Sequence, residues 1–256
     1  MSTISARADQ FTVLGTADSF AVLAASTVTN TGSSVLSGNV GLYSGSAITG
    51  FALGTVVNGS TYIADGVAMT AQADALHGYN FLASLPSTHN LTGQDLGGMT
   101  LNPGVYLFSS SAQLTGPLTL DFQGLNDANT VFQIGSTLTT ATGSTVNIIN
   151  QGIGDNLYYQ VGSSATLGTG TSLQGDILAE TSITLNTGAS ISCGSAIALN
   201  GAVTLDTNAI NNCSSPGSNI TSSPDTTSPV PEPGTFALLS TGLLGAAGIM
   251  RRRFTA

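Results

Sequence analysis

No lysine occurs anywhere in the 256 residues. The four arginines sit at the ends, Arg7 near the start and Arg251, Arg252 and Arg253 at the close, so the long middle carries no strong cation. A nucleic-acid interface needs Lys and Arg to neutralise phosphates, which excludes that class. The same absence disfavours a site that clamps phosphate or carboxylate through arginine. Charge of either sign is scarce: 7% of residues are charged, against roughly 25% in ordinary globular chains. The acidic residues are scattered singly, and the formal net charge of −9 serves solubility rather than a binding patch. Asp121, Asp155, Asp176, Glu180 and Asp206 are too dispersed to nominate a general acid and base, so a polysaccharide-cleaving enzyme lacks its chemistry. The two histidines, His77 and His89, have no second ligand at a metal-site spacing, and neither a metal nor another cofactor is expected. The Gly-Gly-x-Gly-x-Asp nonapeptide of calcium-binding β-rolls is also absent.

What the chain does have is glycine, 32 residues of it, with 41% hydrophobic content, enough for one sizeable core. A pattern Thr-Gly-x-(Ser/Thr)-apolar recurs four times, at Thr31-Gly32-Ser33-Ser34-Val35, Thr142-Gly143-Ser144-Thr145-Val146, Thr169-Gly170-Thr171-Ser172-Leu173 and Thr187-Gly188-Ala189-Ser190-Ile191. Each copy joins a glycine bend to a small hydroxylated residue and a core-type aliphatic, which argues for stacked coils. Stacked coils would set the Thr and Ser side chains in ranks about 4.7–4.9 Å apart, the strand spacing. The last two copies lie 18 residues apart and the preceding interval is 27, which fits a solenoid with loops and bulges. A second pattern, apolar-Thr-Leu, occurs at Leu118-Thr119-Leu120, Ile183-Thr184-Leu185 and Val203-Thr204-Leu205, more loosely at Ala165-Thr166-Leu167 and Ser136-Thr137-Leu138. Strand alternation buries its flanking aliphatics and turns the middle Thr outward.

Residues 64–85 break the β pattern. They are rich in alanine, and Val67, Ala71, Ala75, Tyr79 and Leu82 fall on one stripe at helical spacing. With Asp65 to cap the start and Pro86 to stop the end, this predicts one amphipathic helix along a solenoid face. His77 on it and His89 beyond it are read as surface or packing residues.

The C-terminal stretch, residues 230–256, reads as a processing segment. Pro231, Glu232 and Pro233 precede an apolar run over residues 236–250, and Arg251, Arg252 and Arg253 follow. The run is slightly short for a full span, and the basic cluster would stay cytoplasmic. This order resembles the PEP-CTERM sorting signal of Gram-negative bacteria. The resemblance implies transient membrane anchoring, cutting by an exosortase-type enzyme, and release to the cell surface or extracellular matrix. Residues 214–229, rich in Ser, Thr, Pro and Asn, read as a flexible linker. Residues 1–8 lack the basic and apolar regions of an export signal. Ala6-Arg7-Ala8 looks like the end of a cleavage site, so residues 1–8 are read as the remnant of an export region or as an artificial start. In an exported protein the even pair Cys193 and Cys213 fits a disulfide, the alternative being two buried thiols.

The body, residues 9–213, resembles the microbial ice-binding protein family of discontinuous β-solenoids. The likeness is carried by Leu14-Gly15 through Thr27-Val28-Thr29-Asn30-Thr31-Gly32, Leu101-Asn102-Pro103-Gly104-Val105-Tyr106, Val131-Phe132-Gln133-Ile134-Gly135-Ser136 and Leu199-Asn200-Gly201-Ala202-Val203-Thr204-Leu205-Asp206. It implies an all-β dominated fold, a right-handed triangular β-helix with one long α-helix alongside, whose N-terminal strands lie beside the final coils. It also implies a monomer that adsorbs to an ice crystal surface without catalysis. Thr31, Ser34, Thr142, Thr145, Thr169, Ser172, Thr187 and Ser190 are the expected ice-contacting face, with Thr119, Thr166, Thr184 and Thr204 as the rival rank. On the alternative reading, glycine and Thr at the first set only turn the coils. A matrix protein or adhesin binding exopolysaccharide is the alternative function.

Overall fold

The structure, a computed structural model, describes residues 13–213. The readings of residues 1–8, the linker 214–229 and the tail 230–256, with Pro231, Glu232, Pro233 and Arg251 to Arg253, lie outside the described residues. The chain winds as a three-sided coil, each turn giving one short strand to each of three sheets. Sheet A has nine strands, sheet B seven and sheet C eight, and every strand pairing between them is parallel.

Winding order and stacking order differ. The first full turn, Phe20–Ala24, Thr27–Thr31 and Val35–Ser37, lies on the last turn of the chain. Val22 pairs with Ala196, Thr29 with Thr204, and Val35 with Ala209. The coils before the helix thus extend the end of the solenoid that the C-terminal coils would otherwise leave open. This explains why the first Thr-Gly copy stands so far upstream of its partners.

Sheet A carries the helix. The edge strands Thr61–Ile63 and His89–Asn90 are mostly exposed, whereas the inner strands are largely apolar and buried on both faces, as in Phe20–Ala24 and Asn156–Val161. That is the pattern of a parallel sheet covered on both sides. The inward row stacks rings, Tyr106 to Phe132 and Phe132 to Tyr159 with centroids 5.5 and 5.3 Å apart, and the exposed ring of His89 closes the stack against Tyr106 at 5.0 Å. The outward row runs in register through Gln133, Gln160, Leu178, Ile197, Leu23 and Gly41. Gly41 has to be glycine, because a Cβ there would come within 2.6 Å of Phe20 and Leu23 side-chain atoms.

The helix, α1 (Gly66–Ser84), lies on this outward row. Asp65 caps it by accepting from the Ala68 amide at 2.9 Å. Ala68, Ala71, Ala75, Gly78, Tyr79 and Leu82 are buried, the small residues permitting close approach to the sheet. Val67 does not belong to the stripe: it is 48% exposed, and Ala68 takes the inward place. His77 and His89 are both exposed. Two amides pin the helix. Gln72 Nε2 donates to the carbonyls of Ala198 and Leu199 at 3.0 and 2.9 Å. Buried Gln133 donates to the carbonyls of Leu82 and of the C-cap residue Leu85 at 2.7 and 2.8 Å, at the helix end where intrahelical donors run out. Asp74 accepts from the Thr16 amide and hydroxyl at 2.8 and 2.7 Å, holding the 3-10 turn Gly15–Ser19 on the helix.

The chain leaves the last coil at Cys213, which is disulfide-bonded to Cys193. Beside this bridge Asp176 lines a cavity of about 300 Å³ with Asp18 and Asp155. Burial pushes the Asp176 carboxyl up to about 7, with the nearby Asp18 adding to the rise and Ser195 opposing it.

Two stability predictions follow from these contacts. Gln133→Ala removes the side-chain donor to both carbonyls, leaving the Leu82 carbonyl with only the 3.4 Å hydrogen bond from the Leu85 amide, and urea unfolding is expected to show a loss of about 1–3 kcal/mol. Folded Asp176 keeps its proton to higher pH than the unfolded chain does, so its contribution to stability falls as pH rises from the ordinary carboxylate range to about 7. Asp176→Asn is expected to gain roughly 2–4 kcal/mol at pH 8 and nothing near pH 3, read from melting temperatures at the two values.

Candidate functional site

With sheet A covered, the outward faces of sheets B and C remain. Sheet B stacks Ala112–Leu114, Leu138–Thr140, Ala165–Leu167, Ile183–Leu185, Val203–Asp206, Thr27–Thr31 and Ala47–Thr49 in that order. Most of these strands are barely longer than one alternation, with an apolar residue inward, one side chain outward and a buried residue next, whereas Ala47–Thr49 at the edge ends on its outward residue. The outward positions pair without a slip: Gln113 to Thr139, Thr139 to Thr166, Thr166 to Thr184, Thr184 to Thr204, Thr204 to Thr29, and Thr29 to Thr49. Six threonines thus stand in one unbroken rank, about 24 Å long at the usual strand spacing. Gln113 ends it, followed by Asp95 on the outermost bridge. A second row of Ser111, Thr137, Ser164 and Ser182 runs beside it, linked by a 2.9 Å hydrogen bond from Thr137 to Ser111 and a 3.4 Å one from the Ser182 amide to Ser164. Thr27 and Ala47 continue that row on the N-terminal coils. Between Gln113 and Thr49 neither row carries a charged side chain, and Asp95 stands at the outermost end.

The Thr-Gly copies sit elsewhere, on the corner between sheets B and C. The amides of Gly143, Gly170 and Gly188 donate to the carbonyls of Thr169, Thr187 and Asp206 on the next coil at 2.9, 3.0 and 3.1 Å. Thr31 pairs with Asp206. Thr142, Thr169, Thr187, Asp206 and Thr31 therefore form a corner rank, in which all four threonines are exposed. The glycines hold positive φ, between 64° and 77° at Gly32, Gly143, Gly170 and Gly188, a turn that other residues adopt only with strain.

Beneath the corner runs a buried polar ladder. Ser144 Oγ donates to the Leu114 carbonyl at 2.8 Å. Thr140 and Thr171 share a hydrogen bond at 2.7 Å. Asn208 donates to the carbonyls of Asn186 and Ala189 at 2.9 Å each, and Ser34 accepts from the Asn208 amide at 2.9 Å. These side chains satisfy backbone groups that the bend removes from the sheets.

Ser34 is the clearest correction to the eight-residue expectation. It is 0% exposed. The first copy holds one extra corner residue, Ser33, so Val35 rather than Ser34 occupies the outward place that pairs, through Ala209, with Ser190. Thr145, Ser172 and Ser190 are a third group, on sheet C, in a rank with Pro117, Ala209, Val35 and Thr55. That rank is chemically mixed. The eight residues thus divide between a corner, a different sheet and the interior, and do not form one face. Of the rival rank, Thr166, Thr184 and Thr204 do share sheet B, whereas Thr119 belongs to sheet C, paired with Thr100. Thr29, Thr49 and Thr139 complete the sheet B rank and were missed. Their signal is the step apolar-Thr, with Asn30, Gly50 and Thr140 where the search pattern demanded Leu.

Such an array offers methyl and hydroxyl groups at a fixed repeat over an uncharged surface, which suits an extended, ordered ligand. The molecule is a three-sided β-solenoid with one covered face and one in-register threonine face. Residues 22–211 match the family described as "Ice-binding-like", and residues 229–253 match the "PEP-CTERM protein-sorting motif". A relative named "Ice-binding protein" from Nostoc sp. (strain HG1) is 52% identical over 250 residues, covering 97% of this chain and 90% of its own length. Another of that name from Colwellia sp is 34% identical over 215 residues, covering 77% and 82%. A solved ice binding protein from an Antarctic biological consortium superposes with a TM-score of 0.73 at 42% identity, covering 77% of this chain and 89% of that one. The ice-binding protein of the Antarctic ascomycete Antarctomyces psychrotrophicus gives 0.73 at 38% identity, covering 77% and 96%. The chain belongs to the ice-binding-like family, and its sorting motif marks it as secreted or extracellular.

The corner's dependence on glycine can be measured without steric interference. Nothing lies within 4 Å of a Cβ added at Gly170. Gly170→Ala is therefore expected to cost about 1 kcal/mol in chemical unfolding, from the positive φ alone.

Proposed function

We propose that the chain adsorbs to ice through the outward face of sheet B, centred on Thr139, Thr166, Thr184, Thr204, Thr29 and Thr49. The observation that carries this reading is the unbroken register of that rank. Stacked coils hold the side chains at one repeat. Their methyls limit competing hydration, while their hydroxyls anchor first-shell water. Charge would impose its own hydration, and the two rows carry none between Gln113 and Thr49. Many weak contacts made at once give lasting adsorption without any strong single bond. Thr31, Thr142, Thr169 and Thr187 flank this face at the corner. Thr145, Ser172 and Ser190 lie around it on sheet C, and Ser34 serves the corner from within.

The function is adsorption, with thermal hysteresis and recrystallisation inhibition as its readouts, and needs neither a reaction nor a cofactor. The sorting motif supports processing by an exosortase-type enzyme, transient anchoring by the tail, and delivery to the surface or matrix of a Gram-negative bacterium. The solenoid acts as a monomer.

Thr184→Tyr places a ring in the middle of the rank without entering the core. It is expected to reduce thermal hysteresis at least several-fold at equal concentration, with the melting temperature within a few degrees of the parent. A folded Thr184→Tyr protein at full activity would remove sheet B from the account. A folded parent with no ice activity would leave a matrix protein binding exopolysaccharide as the better reading.

A further inference from the structure

Each full turn of the coil runs from sheet A to sheet B to sheet C and back to sheet A. The last strand, Ala209–Asn211, lies in sheet C, so the described chain ends, at Cys213, in the corner between C and A. In a three-sided coil that corner is the vertex opposite side B. The exit is held there firmly. Cys213 is bonded to Cys193, which stands in the same corner one coil earlier, between Ser190–Ser192 of sheet C and Ala196–Ala198 of sheet A. The Cys213 amide donates to Asn211 Oδ1 at 3.1 Å, and the Asn212 amide to the Ser37 carbonyl at 3.2 Å. Asn212 Nδ2 donates to the Asp18 carbonyl at 3.4 Å, on the 3-10 turn that rests on the helix. Beyond Cys213 the sequence leads to the sorting motif at residues 229–253.

We propose that the chain holds ice while its C-terminal end is attached to a surface, and that the Cys193–Cys213 bridge carries the pull between the two. This rests on the sheet B reading and adds a further function to it, adhesion of the attached surface to ice. An attachment at the vertex opposite sheet B leaves the threonine rank facing away from it, so neither contact covers the other. The bridge decides where the load falls. Chain ends open first unless they are tied down. Without the bridge, a pull on Cys213 would act on the final strand alone. That strand is wedged between Ser190–Ser192 and Val35–Ser37, so stripping it out would part the N-terminal turn from the C-terminal coils on sheet C. The bridge passes the pull to Cys193, and so shares it with the preceding coil. Many attached copies meeting one crystal make their contacts together.

The test fixes the full chain to streptavidin beads through biotin on an acceptor peptide, placed either after Ala256 or before Met1, and settles the beads on ice under rising flow. Both kinds are expected to stay at flows that remove bare beads. Dithiothreitol is then added. It reduces the bridge, whose two cysteines are exposed, to thiols and is itself oxidised to a cyclic disulfide. Beads attached after Ala256 are expected to come away at a flow they withstood before. Beads attached before Met1 are expected to stay, because their pull enters at Val13, packed beside the helix, and does not cross the bridge. Beads attached after Ala256 that wash off like bare beads, while the free chain shows thermal hysteresis, overturn the proposal and leave the sheet B reading standing. Release of both kinds by dithiothreitol, or of neither, overturns the part given to the bridge. Beads carrying folded Thr184→Tyr are expected to wash off; if they hold as firmly as the parent, the sheet B reading fails and the proposal with it.

Discussion

Everything in this molecule depends on one repeat, the separation of hydrogen-bonded parallel strands. Each coil rests on the next through three ladders, so any side chain that points outward at the same place in successive coils becomes part of a rank with that period. The corners carry the ladder around the bends, through the amides of Gly143, Gly170 and Gly188. The buried hydroxyls and amides of Ser144, Thr171, Asn208 and Ser34 supply partners where the sheets cannot. A surface of weak contacts can be ordered only if its frame is, and here the frame is the backbone itself.

The three sides of the coil are chemically unequal. Sheet A gives both faces to packing, one to the stacked rings of the interior and the other to an alanine-rich helix held by Gln72 and Gln133. Sheet C mixes Pro, Ser, Ala and Val along one rank. Sheet B alone repeats threonine without a break. The return of the N-terminal coils matters for the same reason: by stacking on the last turn they add Thr29 and Thr49 to a rank that would otherwise stop at Thr204. The discontinuity of the fold thus lengthens the surface.

Much of this was legible from residues. The helix was readable because Asp65 and Pro86 bound it and its β-branched residues are few, although Val67 was placed on the wrong side by one position. The Thr-Gly pattern was a real signal of stacked coils, but of their corner, since a positive-φ glycine marks a bend and not a flat face. Alternation told which residue of a strand points outward, yet not which of three sheets the strand joins, so Thr119 was grouped with Thr166 on a pattern they share. The single inserted residue Ser33 was invisible in the pattern, because Val35 and Leu36 serve equally well as its apolar member. Register between coils is a property of backbone pairing through space, and coils of unequal length hide it from spacing along the chain. The isolation of the first Thr-Gly copy fits either a coil that opens the solenoid or strands that return beside the C-terminal coils, and the family resemblance implied the second.

The most direct test of the central claim is the partition of fluorescently labelled protein between a slowly growing ice crystal and the surrounding melt. The account predicts that the folded chain is taken into the ice far above the level of an inert protein of similar size. It also predicts that Thr166→Lys, which sets one charge within the sheet B rank, is excluded while remaining folded. Exclusion of the parent, or equal uptake of the two, would contradict adsorption through that rank.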